Sequence, residues 1–118
     1  MDKLAVAVMP IVDVGAWQEF ADEISTGSRA EAHRDFLRRG GVKKEHLFRQ
    51  QTPMGDLMVL VWEGVDPEAL GAHFGDAMQN PKTDHERYMV DYVIPKLHGI
   101  DASAPPPPPA EQVATIAT

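Results

Sequence analysis

Two stretches of the chain are apolar on both faces, and the remaining elements arrange themselves around them. Leu57-Met58-Val59-Leu60-Val61-Trp62 places Leu57, Val59 and Val61 on one side of a strand and Met58, Leu60 and Trp62 on the other. A strand with one wet face alternates apolar and polar residues, so this one is expected to be covered on both sides. Leu4 to Val12 is a second, β-branched run without charge, ended by Asp13 and Gly15, and reads as the other central strand. Pro10 lacks an N–H and is expected to mark where its sheet pairing stops. Preceding the first stretch, Lys44 to Gln51 alternates His46, Phe48 and Gln50 with Leu47, Arg49 and Gln51, a more exposed strand. Thr52-Pro53-Met54-Gly55 joins the two as a hairpin, with Pro and Gly where a type I turn favours them.

Between the strands the period becomes helical. Trp17, Phe20, Ala21 and Ile24 form one stripe opposite Gln18, Glu19, Asp22 and Glu23. Thr26-Gly27-Ser28 interrupts it, and Ser28-x-x-Glu31 reads as a capping box for a second segment from about Arg29 to Arg39 that buries Ala32 and Phe36. Gly40-Gly41 ends that helix. Asp66-Pro67 starts another, with Leu70, His73, Phe74, Ala77 and Met78 on one face. Thr83-Asp84-His85-Glu86 caps a last helix bearing Tyr88, Met89, Tyr92 and Val93, which Pro95 disturbs and Gly99 closes. The order is β-α-β-β-α-α. It predicts an α+β fold: an antiparallel ferredoxin-like sheet over residues 1–101, with helices on one face and a homodimer contact on the other.

Residues 102–118 form a proline-rich arm, with five prolines from Pro105 to Pro109. In polyproline II geometry residues 102 to 110 reach about 28 Å, and a four-stranded sheet is under about 20 Å wide. The arm is long enough to deliver Gln112–Thr118 as an edge strand to its own sheet or a partner's; a plain tail is the other reading.

Composition narrows the chemistry. At 118 residues the chain is one domain with room for one core. A net charge of −7 argues against nucleic acid or an anionic membrane as partner. The absence of cysteine excludes disulfides, thiolate catalysis and Cys-based metal sites. The longest apolar run is too short to span a bilayer, and no signal-peptide cleavage pattern stands at the N-terminus, so the expected location is cytoplasmic.

The hairpin motif Gln51-Thr52-Pro53-x-Gly55-Asp56, the Asp66-Pro67 start and Leu97-His98-Gly99-Ile100-Asp101 before the proline run resemble a group of small actinobacterial-type proteins. These are similar to members of the dimeric α+β barrel (ferredoxin-like) superfamily. The resemblance covers residues 3 to 112 and rests on turns, caps and core strands. It implies a homodimer. It also implies functions ranging over ligand binding, cofactor-independent monooxygenation of aromatic polyketides and haem degradation. His73 is the rough counterpart of a haem-ligating histidine, without the motif expected around it, so no cofactor is expected. The chain departs from the superfamily where a helix and the proline arm replace the usual fourth strand.

Of the five histidines, no two are spaced i, i+3 or i+4, so no helical metal pair is encoded and no metal is expected. His73 lies on an apolar stripe and reads as a hydrogen-bonded core residue. His33, His85 and His98 read as surface residues, and His46 as facing a cavity or a partner subunit. Met58 and Trp62, with Phe48 on the neighbouring strand, would make an apolar wall for a planar ligand, or an interface. Arg29, His33 and Tyr88 are the polar groups placed to reach over the sheet, where an inward Arg usually pairs with a carboxylate. The ligand-binding candidates are therefore Arg29, His33, His46, Phe48, Met58, Trp62, His73 and Tyr88. They suit a small apolar or aromatic molecule held between sheet and helices. A cofactor-independent monooxygenase or isomerase using His46 or His73 as base, and an assembly module docking through the proline arm, are the alternatives.

Overall fold

A computed structural model of the chain describes residues 3–104 and 108–118. Three strands, β1 (Leu4–Ile11), β2 (Lys44–Thr52) and β3 (Gly55–Glu63), form an antiparallel sheet in the order β1-β3-β2. Five helices are α1 (Val14–Ser25), α2 (Ala30–Arg39), α3 (Pro67–Gln79), α4 (Asp84–Tyr88) and α5 (Met89–Leu97), the last wound with π geometry. The architecture is α+β.

The register separates the two sheet faces cleanly. Val6 pairs with Val61 and Val61 with His46; Val8 pairs with Val59 and Val59 with Phe48. These residues share one face, where Leu4, Val8 and Phe48 stay 46%, 51% and 54% exposed. Ala5, Met58, Leu60 and Trp62 point the other way and are buried with Trp17, Phe20 and Ile24 of α1, Phe36 of α2, Leu70 and Ala77 of α3, and Met89, Val93 and Leu97 of α5. One face is thus packed under helices and the other is open.

Three expectations change in the strands. β3 is central, as its doubly apolar pattern requires, but β1 is an edge strand among the described residues. Pairing does not stop at Pro10, which sits opposite Leu57, with Ile11 opposite Asp56. The even-numbered residues of β1 turn their backbone polar groups away from β3, so the N–H that Pro10 lacks is not needed by the ladder. Carbonyls on that edge are used instead by other parts of the chain: Val6 accepts from Ala110 N at 2.6 Å and Pro10 from the His98 ring at 2.8 Å. The arm therefore touches the β1 edge, but residues 108–118 form no strand, and Glu111 to Thr118 are exposed.

Helix ends follow local chemistry in most places. Asp13 caps α1 through Ala16 N at 3.0 Å, and Thr83 caps α4 through Glu86 N at 3.0 Å. Gly41 takes the positive φ of 84° that ends α2. The Ser28 capping box does not form. Ser28 turns back to the Glu23 carboxylate instead, and α2 begins after Arg29 with no side-chain cap. Its buried stripe is Ala30, His33 and Phe36, while Ala32 is exposed. That phase brings His33, not Ala32, against the sheet.

Candidate functional site

A cavity of about 220 Å³ lies between the helix-covered sheet face and the helices. Met58, Leu60 and Trp62 of β3 form its floor; Phe20 and Ile24 of α1, and Phe74 of α3, form its walls. Pro108 and Pro109 of the arm close part of its border, with Pro109 3.9 Å from where a Cβ on Gly71 would stand. An apolar chamber of about 150 Å³ already holds a benzene-sized molecule, so this one has room for one or two rings.

The chamber's polar end is a line of four side chains from four elements. Trp62 Nε1 donates to Glu45 Oε2 at 2.7 Å, and His33 Nε2 lies 2.8 Å from Glu45 Oε1. His33 Nδ1 lies 2.9 Å from His85 Nε2. A carboxylate only accepts, so His33 Nε2 carries the proton it gives to Glu45. With that as the ring's one proton, Nδ1 accepts from His85 Nε2–H. That leaves His85 Nδ1 as a buried lone pair with no partner among the described residues. Burial, with His33 and Arg29 acting in the same direction, lowers the His85 pKa to about 4.

Neighbouring contacts hold this line in place. Glu86 is buried at the start of α4, where its carboxylate takes Lys82 N at 2.8 Å and the Arg39 guanidinium at 3.1 Å. Burial works against its ionisation, but these two donors outweigh it and keep the Glu86 pKa below the usual carboxylate range. Arg29 meets no carboxylate; its guanidinium carbon lies 3.4 Å over the Tyr88 ring, a cation–π contact. Burial raises the Tyr88 hydroxyl pKa, with Arg29 opposing it. On the far side of Glu45 and His33, an open groove of about 570 Å³ runs past Arg34, Arg38, Lys43 and Lys44.

The expected site residues therefore divide. Met58, Trp62 and His33 border the chamber, and Arg29 and Tyr88 stack beside the line that His33 belongs to. His46 and Phe48 do not join them. They lie on the open sheet face, where His46 stacks on Phe48 and pairs with Glu63 at 2.6 Å. The planar wall of Phe48 with Met58 and Trp62 fails for a reason of register: Phe48 pairs with Val59, one residue out of phase with Met58. His73 is a half-buried structural residue, as expected, with Nε2–H on the Phe36 carbonyl at 2.9 Å.

Three residues of this cluster and its lining, His85, His98 and Glu45, are absent from the expected set. His85 and His98, like the expected His33, are buried and not surface residues, at 4%, 1% and 6% exposed. For His98 the reason is the β1 edge, whose Pro10 carbonyl its ring satisfies. Glu45 looks like an ordinary strand-edge acid, and its only signal is that it falls in phase with Leu47 on a strand facing the Trp62 side. Among the described residues no group of three His, Asp or Glu is placed to hold a metal ion, and no helix is long and apolar enough to cross a membrane. No protein-family model, curated protein or solved structure matches the chain.

Proposed function

We propose that this chain is a ferredoxin-like, dimeric α+β barrel protein whose chamber holds a small apolar molecule, preferably an aromatic one. The observation that carries the reading is the chamber itself: about 220 Å³ of space with mostly apolar walls and a few fixed polar groups, chief among them Glu45, His33 and Trp62. Small-molecule sites favour that combination of apolar lining and a few fixed polar groups. The dimer is supported by the open sheet face, where Leu4, Val8 and Phe48 form an apolar patch that water would otherwise contact. Native mass spectrometry of protein purified without heating tests both parts. The expected result is a dimer carrying added small-molecule mass, with that mass lost in an Ala7→Phe variant that fills the chamber. A bare protein that also fails to bind any one- or two-ring compound in a tryptophan-fluorescence titration overturns the ligand reading, and a monomer overturns the dimer.

One observation favours a second reading, a cofactor-independent isomerase or monooxygenase. Glu45 stands at the chamber wall, where His33 and Trp62 hold its carboxylate in place and its remaining lone pairs would accept a proton from a bound molecule. Turnover of a bound compound that is lost in Glu45→Gln, with binding retained, distinguishes this reading from simple binding.

A further inference from the structure

The side-chain N–H groups that border the chamber are engaged within the protein. Trp62 Nε1–H and His33 Nε2–H both serve Glu45, at 2.7 and 2.8 Å. His33 Nδ1 is occupied by His85 at 2.9 Å. The His98 ring faces the Pro10 carbonyl through Nδ1 at 2.8 Å, and since a carbonyl only accepts, that nitrogen holds the proton. Just outside the lining, the Trp17 indole N–H is held 3.0 Å from Met58 Sδ.

What the chamber still offers is acceptors. A carboxylate has about four lone-pair sites, and Glu45 has two of them occupied. His98 stays neutral, because burial lowers its pKa against the opposing effect of Pro10. With its one proton on Nδ1, its Nε2 is a lone pair on a ring that lines the chamber. Asp101, on the same lining, is likewise an acceptor and takes the N–H and hydroxyl of Ser103 at 2.9 and 2.7 Å.

We infer that the chamber selects neutral ring molecules bearing a hydrogen-bond donor, of which an aromatic alcohol is the simplest, over molecules whose polar group only accepts and over anions. The inference rests on the proposal that the chamber is a ligand site, and it names the class of ligand. An aromatic O–H placed against Glu45 makes a charge-assisted bond, among the stronger kinds available in a buried site. A ketone in the same place leaves water and meets no free side-chain donor, so its carbonyl is buried unsatisfied. A carboxylate additionally faces Glu45 as a like charge. Sites that hydrogen-bond a hydroxyl discriminate strongly against analogues that cannot supply it.

Isothermal titration of the full chain with 2-naphthol, naphthalene, 2-acetylnaphthalene and 2-naphthoate tests this directly, because the four share one ring system. The expected order is 2-naphthol tightest, at least about tenfold tighter than 2-acetylnaphthalene, with no detectable binding of 2-naphthoate. In Glu45→Gln the new carboxamide N–H₂ is a donor, so the preference for naphthol over the ketone should shrink or reverse. His98→Phe, measured beside it, removes the second acceptor without touching the Glu45 line. If either variant fails to fold, the four-ligand series on the unaltered chain decides. Equal affinity for naphthol and the ketone overturns the donor selection and leaves the chamber as a ligand site. Failure of all four to bind overturns both.

Discussion

Two histidine–glutamate pairs sit back to back on β2, and they differ in almost everything except chemistry. Glu45 pairs with His33 on the helix-covered face, with both side chains 7% exposed. The next residue, His46, pairs with Glu63 on the open face, with side chains 40% and 39% exposed. The distances are similar, 2.8 and 2.6 Å. What differs is the surroundings: the inner pair is nearly shielded from solvent, and its hydrogen bonds are made to protein partners. In the outer pair the His46 hydrogen bond holds the Glu63 pKa below the ordinary carboxylate range, but solvent is at hand if it breaks. The same two residue types are therefore a structural commitment on one face and a dispensable surface contact on the other.

Removing the inner acid is the largest test of that contrast. Glu45→Ala strands the His33 and Trp62 donors in the core, and should cost about 3 kcal/mol of stability in urea denaturation. If Glu63→Ala costs as much, the two faces are not different environments and the comparison fails.

Acid sharpens it next. His85 has a folded pKa of about 4, below the ordinary imidazole value of about 6.5. Between those limits the unfolded chain binds more protons than the folded one, so stability rises with pH there and is lost as pH falls. The slope should approach ~1.4 kcal/mol per pH unit for this one imidazole. Urea midpoints across the window measure it, and His85→Gln should flatten the curve. An unchanged slope in that variant would mean His85 is not the group responsible.

The smallest effect belongs to the outer pair: Glu63→Gln should leave the melting temperature unchanged at neutral pH. A clear drop would indicate that a second copy of the chain covers this face and has made the pair interior. That result would break the comparison and support the dimer.

Much of the scaffold could be read before any coordinates. The central position of β3 follows from Leu57 to Trp62 having no polar face, and the hairpin from Thr52-Pro53-Met54-Gly55, with Thr52 pairing Gly55. Gly40-Gly41 and Thr83 end and start helices because the chemistry of those turns is local. Ser28 was harder: a capping box would give its backbone N–H to the Glu31 carboxylate, but both its N–H and its hydroxyl go to Glu23 behind it. The helix starts after Arg29 and buries Ala30 and His33 beside Phe36, in place of the expected Ala32.

The chain alone, then, determined which residues form strands and helices, that β3 lies inside the sheet, and that one sheet face would be rich in apolar side chains without helices to cover it; the same doubly apolar pattern in β1 did not tell an edge strand from a central one. These depend on neighbours within a few positions, where periodicity and turn chemistry speak directly. Only the tertiary structure decided the site. His33, Glu45, Trp62 and His85 come from α2, β2, β3 and α4, and the contacts joining them span 12, 17 and 52 residues. Glu45 and His85 are unremarkable polar residues in their own stretches, and nothing local joins them to His33 and Trp62. They become a site because burying four of them together leaves no partner except one another, a condition that packing imposes and no local pattern records.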